Sequence, residues 1–402
     1  MPRINPDILR WARETAGLSL EDAAKAIALN AARGQTGAER LAEFEAGEGE
    51  LSRTQLARIS DKYRRPLITF YLAVPPPAGE RGEDFRRASR GQPPEFNPHL
   101  DALIRNVRAR HDVVRFLLED DESQPLTFVG SAKISDGVDT VTKRIIETIG
   151  FDLAVFRNGA GRGNAANGVD KAFTYLRERL ERAGIFVLLL GDLGSHHSKI
   201  ETRAFRGYAI AEPIAPFVVI NDNDARAAWS FTALHEAVHI WLGQTGLSGA
   251  SHEAAVERFC NDVAGAILLP MTEIRAFSIS GLLSLSDIAT AVTEFAAYRN
   301  VSRAMIAYLL LRAKKIDAGR YRELDDHFYG AWLRSKEAKK ASGDEGRGPN
   351  RYVVLRHRLG PALVGLARQY LDAGSLSPIK ASSLLGVKPG AVRTFLHPEG
   401  VR

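Results

Sequence analysis

The chain has one cysteine, Cys260, in 402 residues, so no internal disulfide framework supports it. No apolar run approaches the ~18 residues that would suggest a membrane span. The opening residues, MPRINPDILRWARE, lack the apolar core of a signal peptide. These absences lead us to expect a cytoplasmic chain without a membrane partner. Charge of one sign is also scarce until the end. The net charge is +6, and Arg351 to Arg402 carries eight Lys/Arg against only Asp372 and Glu399. A basic tail of this kind is either a nucleic-acid contact or a solvated helical surface. At 45% hydrophobic and 25% charged residues, the rest is ordinary globular sequence, long enough for two to four domains.

Helical patterning opens the chain. PDILRWARETAGLSLEDAAKAIA (6–28) has apolar residues at helical spacing, broken at Gly17. Ser19 is placed to cap the second helix, with Asp22 at the N3 position. Helix, glycine turn, helix is how a helix-turn-helix begins. Further helices are predicted in AERLAEFEAG and TQLARISDKYRRPLITFYL, and VPPPAGERG (74–82) reads as a linker. An arginine-rich helix follows over 97–120. Strand-like runs are LTFVG (126–130), IFVLLL (185–190), GYAIA (207–211) and FVVIN (217–221). NGAGRGNAANG (158–168) reads as a loop. Residues 226–243, 252–269 and 285–340 read as helical, SGDEGRGPN (342–350) as a second linker, and the tail again as helix, glycine turn, helix.

The strongest chemical signal is His235-Glu236-Ala237-Val238-His239 within RAAWSFTALHEAVHIWLG. Asp222 or Asp224 can cap this helix after the preceding strand. Residues four apart share one helix face, so two neutral imidazoles can bind one Zn²⁺ at ~2.0–2.1 Å. Glu236 then flanks the metal as a general base for bound water, whose pKa the metal lowers towards ~7. Chance occurrence of H-E-x-x-H in such a chain is on the order of 1 in 70.

A catalytic zinc needs a third protein ligand and an open position. The following helix, SHEAAVERFCNDVAGAILLP, has an apolar face through Val256, Phe259, Cys260, Val263 and Ile267. Glu257 flanks that face, where a carboxylate is costly unless paired or metal-bound. Asn261, one turn on, can orient a ligand. His252 and Glu253 compete for the third place from the start of the helix. Cys260 is expected to be a small core residue.

The stretch FRGYAIAEPIAPFVVINDND…WSFTALHEAVHIWLGQTGLS…VERFCNDVAGAILLP (205–270) resembles the ImmA/IrrE metallopeptidases. Its family-like positions include Arg206-Gly207, Pro213, Pro216, Asn221, the histidine helix and E-x-x-C-N before L-L-P. The resemblance implies that Glu257 is the third zinc ligand. It further implies a thermolysin-like arrangement and a protein substrate, a DNA-binding repressor or an antitoxin, cleaved in a stress-response, mobile-element or toxin–antitoxin setting. The N-terminal part resembles a cro/repressor-type helix-turn-helix, Asp84-Phe85-Arg86 resembles a short family motif, and the tail from Tyr352 is similar to extensions of longer members. The third N-terminal helix carries Glu39, Glu43 and Glu45 against Arg40, a surface that DNA phosphates disfavour. Protein recognition or dimerisation thus stands beside DNA binding for that region, and DNA contact is open for the basic tail as well.

The resulting expectation is an α+β, mostly helical chain. It comprises a helix-turn-helix-like domain (1–75), a linker and helix (76–125), a zinc peptidase domain (126–275), a helical domain (276–345) and a basic C-terminal helical module (346–402). An alternative is a DNA- or toxin-binding regulator with a structural zinc. Several residues keep two readings. Tyr208 is either an oxyanion stabiliser or a packed strand residue. Arg206 either holds a substrate carboxylate or pairs internally. His196-His197 reads as a surface loop. GYAIA, if it lies at a sheet edge, can take an extended peptide as an added strand. Residues 289–316 read as two helices around RNVS, packed on the peptidase or forming a second helix-turn-helix-like module.

Overall fold

The computed structural model describes residues 4–32, 34–76, 83–85, 97–158, 165–248, 254–279, 284–341 and 350–397. The chain is mostly helical with a small sheet, an α+β protein. Its contacts divide it into two units. The smaller contains residues 1–81, 93–106 and 192–199; the larger contains 82–92, 107–191 and 200–402.

In the smaller unit α1 (Pro6–Thr15), α2 (Leu20–Ala26), α3 (Gly37–Glu45) and α4 (Arg53–Tyr63) bury Ile8, Leu9, Ile27, Leu41, Ile59 and Tyr63. Gly17 turns the chain between the first two helices with φ +72°, a left-handed value that suits glycine. Ser19 caps α2 through the Asp22 N–H, and Thr36 with Glu39 forms a full capping box on α3. The helix predicted through 72 stops earlier. Arg64 takes a left-handed turn, and after Pro66 only a 3₁₀ turn, Leu67–Tyr71, follows.

The acidic face expected on α3 is partly internal. Glu45 is buried and grips Arg13 through two hydrogen bonds, Nε to Oε1 at 2.8 Å and Nη2 to Oε2 at 2.9 Å. Glu39 bonds its own cap backbone, with the Thr36 N–H at 2.7 Å. The charge count along the sequence therefore overstated the acidity that α3 presents outward.

In the larger unit α5 (Pro98–Asp120, from Val107 on), α6 (Val138–Ile149), α7 (Leu153–Arg157) and α8 (Ala165–Arg182) precede most of the sheet. The strands are β1 (Glu83–Phe85), β2 (Phe186–Leu189), β3 (Gly207–Ile210), β4 (Phe217–Ile220) and β5 (Gly246–Ser248), in the order β1-β5-β3-β4-β2. β2 and β4 are parallel, as are β1 and β5, while β3 runs antiparallel to both neighbours. After the sheet come α9 (Arg226–Trp241), α10 (Ala254–Leu268), α11 (Met271–Ala276), α12 (Leu285–Ala297), α13 (Arg303–Arg312) and α14 (Ala318–Ala341). The tail forms α15 (Arg351–Leu359), α16 (Pro361–Asp372), α17 (Pro378–Leu385) and α18 (Val392–Leu396).

The run 126–130 is not a strand. It forms a turn whose Gly130 N–H bonds Ile240 O at 3.0 Å, while Phe128 stacks on Trp241. Its apolar residues serve the end of α9 rather than a ladder. The loop predicted over 158–168 is helix from Ala165 onward, and 159–164 lie outside the described residues. Residues 207–210 are not a sheet edge, because 246–248 pair alongside them as β5. α9 is the hub of the core, buried on every side from Trp229 to Trp241, except at Phe231, which is only partly covered. It packs against α8, α10 and the β3–β4 face. The helix pair flanking Arg299-Asn300-Val301-Ser302 joins this core through Ile288, Val292, Met305, Ile306 and Leu310.

Candidate metal centre

β4 ends at Ile220 and hands over to α9 through one buried side chain. Asn221 Nδ2 donates to Ile200 O and Phe205 O, both at 3.1 Å, and its Oδ1 accepts from the Asn223 N–H at 3.0 Å. The predicted aspartate cap is absent: the N-cap is Ala225, with no side-chain bond. Asp222 instead receives Arg358 Nε at 2.7 Å, and Asp224 accepts the Ala225 N–H at 2.7 Å.

One turn of α9 separates His235 from His239, and their Nε2 atoms are 3.2 Å apart. α10 brings Glu257 to the same point, with Oε2 3.4 Å from His235 Nε2 and Oε1 3.1 Å from His239 Nε2. One ligand atom from each of the three lies within 4.8 Å of the others. Both histidines are buried and Glu257 is half-buried.

The outer ring nitrogens decide what the cluster can hold. His235 Nδ1 faces Asn261 Oδ1 at 2.9 Å, and His239 Nδ1 faces Gln244 Oε1 at 3.3 Å. A carbonyl oxygen only accepts, so each Nδ1 carries the hydrogen and a neutral ring has its lone pair on Nε2. Two lone pairs and a carboxylate then converge on one spot. Such a set repels itself unless a cation lies between, and this donor chemistry fits a metal ion. Without one, a proton takes that place. Burial alone would raise the Glu257 carboxyl, yet the two imidazoles hold it well below the usual carboxylate range. Burial would likewise lower His239, but Cys260, Glu257 and Glu236 hold it well above the ordinary histidine value.

Cys260 is fully buried, and its Sγ is 3.8 Å from His239 Nδ1. Burial, with Glu257 and Glu236 nearby, pushes its thiol up against the pull of His239. Glu236 is completely buried and is not one of the clustered ligands. Its carboxylate lies against β3 at Gly207, where a Cβ would overlap Oε1 and Cδ and come 2.6 Å from Cγ.

Alternation along β3 separates Tyr208 from this group. Gly207 faces Glu236, and Ala209 joins the α9 core. Tyr208 therefore points to the other sheet face, where Arg108 Nε donates to its hydroxyl at 3.2 Å. It is not placed to stabilise an oxyanion beside Glu236. Arg206 pairs internally, with Nε 3.8 Å from Asp224 Oδ2. His196 and His197 sit in a 3₁₀ turn, His196–Ser198. His252 and Glu253 lie outside the described residues.

Sequence reasoning missed Gln244, and named Gly207 only as a family-like position without its contact to Glu236. Gln244 follows the helix in the turn Leu242-Gly243-Gln244, where nothing in the spacing marks it. Gly207 carried a signal: a glycine opening a strand, where a side chain would ordinarily pack. Asp262 was missed too. It ties α10 to α13 by accepting Tyr308 Oη at 2.8 Å and Arg312 Nε at 2.8 Å, next to Asn261.

Compared with curated proteins and with solved structures, the chain has no match. Residues 181–311, which hold all three clustered ligands and Glu236, match the model of the IrrE N-terminal-like domain, Peptidase_M78, and are thus similar to a metallopeptidase of the IrrE/ImmA type.

Proposed function

We propose that the larger unit is a zinc-dependent endopeptidase in which His235, His239 and Glu257 hold the metal and Glu236 is the general base. One observation carries the reading: two imidazole Nε2 atoms and a carboxylate from a following helix converge, each ring pinned through Nδ1. Zinc bound there supplies polarisation of a carbonyl and a water of pKa near ~7. The chain's own residues do the rest. Glu236 takes a proton from the attacking water and passes it to the leaving amine. Its burial, with no room for a side chain at Gly207, limits the carboxylate to one position. Asn261 and Gln244 keep the two rings in the tautomer that presents Nε2.

The substrate we propose is a protein, specifically a DNA-binding repressor or an antitoxin. The likeness of 181–311 to the IrrE N-terminal-like domain supports this class. The zincin arrangement and a helix-turn-helix role for α1–α4 belong to the same proposal. Zinc-loaded protein is expected to cleave a repressor expressed from a neighbouring gene. Glu236→Gln is expected to keep its metal and lose cleavage. Cutting at the parental rate by that variant refutes the mechanism.

A further inference from the structure

One edge of the sheet is occupied by a short, sequence-distant piece of the chain. β1, three residues long, pairs in parallel with β5: Glu83 with Gly246, Asp84 with Leu247, Phe85 with Ser248. It ends the strand order and has β5 as its only strand partner among the described residues. β5 is far better anchored. It follows directly from α9 through Gln244, which faces His239, and Thr245, whose Oγ1 accepts the Ala211 N–H at 2.8 Å. It also pairs with β3 at Tyr208 and Ala209. β5 therefore belongs to the metal centre's framework, and β1 is the strand that can leave.

The register connects this edge to Glu236. Tyr208 pairs with Leu247 and Ala209 with Gly246, so the antiparallel ladder brings Ser248 beside Gly207. Ser248 pairs with Phe85, and Gly207 with Ile220. One row across the sheet thus runs Phe85, Ser248, Gly207, Ile220 and passes over the Glu236 carboxylate. At roughly 4.8 Å per strand, β1 lies about 10 Å from β3. From Glu83 to Phe85 the chain heads towards that row.

We propose that the outer edge of β5 is a docking site for an extended polypeptide segment, and that Glu83–Phe85 occupies it until a protein substrate displaces it. A sheet edge offers unpaired N–H and C=O groups, so the partner is recognised by its extended backbone more than by its side chains. A segment bound with the polarity of β1 sends its following residues to the Glu236 end of the sheet. The consequence for cleavage rests on the peptidase reading; the docking itself does not.

The test uses the full chain carrying Asp84→Pro with Phe85→Pro. Adjacent N–H groups point to opposite sides of a strand, so one of the two prolines removes a ladder bond. In a Glu236→Gln background, which needs no cleavage, whichever of the adjacent Leu247 and Ser248 amides faces β1 is expected to exchange faster, while the other, facing β3, keeps its protection. A fluorescein-labelled peptide of residues 79–89 should bind this variant about tenfold tighter than the parent, the gain from vacating an edge ~90% occupied. A second variant works in the opposite direction. Asp84→Cys with Leu247→Cys, once oxidised, ties β1 to β5 and should block peptide binding, and reduction should restore it. Unchanged exchange, or equal peptide binding by locked and unlocked chains, overturns the proposal. With Glu236 intact and zinc bound, unfolded casein should be cut faster by the proline variant and slower by the locked one. Peptide binding as expected with no casein cleavage by any form supports the docking edge and overturns the peptidase reading instead.

Discussion

The carboxylate of Glu236 fills the space that a side chain on Gly207 would need. The two are joined by no motif, and they lie on different elements, α9 and β3. The backbone of Gly207 is not in the left-handed region, so alanine is tolerated there by conformation alone. What it would displace is Glu236. Gly207→Ala is therefore expected to fold and to bind one metal per chain, because His235, His239 and Glu257 are not in its way. Cleavage should fall on the order of 100-fold, the usual cost of moving a catalytic group by about 1 Å. Metal content by mass spectrometry beside a cleavage assay checks both halves. A Gly207→Ala chain with full activity removes Gly207 from the account.

Asn261 and Gln244 make the same contact at different lengths, 2.9 Å and 3.3 Å. The longer one shares His239 Nδ1 with the Cys260 sulfur. Asn261→Ala is expected to weaken zinc binding roughly 10–100-fold, the range for losing an outer partner of a ligating histidine. Gln244→Ala should cost less, since Cys260 still borders the ring. Asn261→Asp, which keeps an acceptor oxygen, should recover most of the loss. Competition against a chromogenic chelator ranks the variants, and equal affinities throughout would refute the orienting role.

How much of this was legible follows from the kind of signal each feature leaves. His235, Glu236 and His239 lie within five residues on one helix, so their geometry is set by the 3.6-residue turn and can be read directly. Glu257 was readable because a carboxylate beside an apolar face is a local anomaly. Tyr208 kept two readings, and GYAIA an edge position only as a condition, for one reason. Both depend on which neighbours a strand acquires, and β5 is a three-residue strand without an alternating pattern. Phe128 and Val129 misled in the other direction: their hydrophobicity packs a turn against α9. The charge of Glu45 was counted as surface because its partner, Arg13, is 32 positions away.

Metal binding should depend on pH in a direction fixed by His239. Without metal its pKa is raised, because Cys260, Glu257 and Glu236 outweigh the effect of burial. The folded metal-free chain thus holds a proton that the unfolded chain releases near ~6.5. That proton's contribution to stability is present below the unfolded pKa and disappears as pH rises through the folded one. Zinc needs the same Nε2 lone pair, so binding expels the proton. Apparent affinity should rise about tenfold per pH unit while one proton is released. The stabilisation zinc gives should therefore be larger at pH 8 than at pH 6. Melting temperatures with saturating zinc and with EDTA at several pH values measure the difference. A gap that is constant across pH would contradict the shared-site account.

Glu45 holds a different part of the chain together. Its two bonds to Arg13 join α3 to α1, and Arg10 Nη2 donates to the Glu45 carbonyl at 2.8 Å. Arg13 also donates to Leu18 O at 2.9 Å, so one guanidinium secures the turn after α1 as well. Glu45→Gln leaves that largely buried guanidinium only the exposed Glu14, 3.7 Å away, as a countercharge. Breaking a buried pair from one side costs about 3–5 kcal/mol, and the slight exposure of Arg13 puts this case at the lower end. Amides of Ile8, Leu9 and Ala12 that exchange through opening of this unit should then exchange ~100-fold faster. Replacing both partners, Arg13→Met with Glu45→Met, removes the uncompensated charge and should recover most of the protection. If the single variant exchanges like the parent, the pair is a surface contact, and the acidic reading of α3 returns.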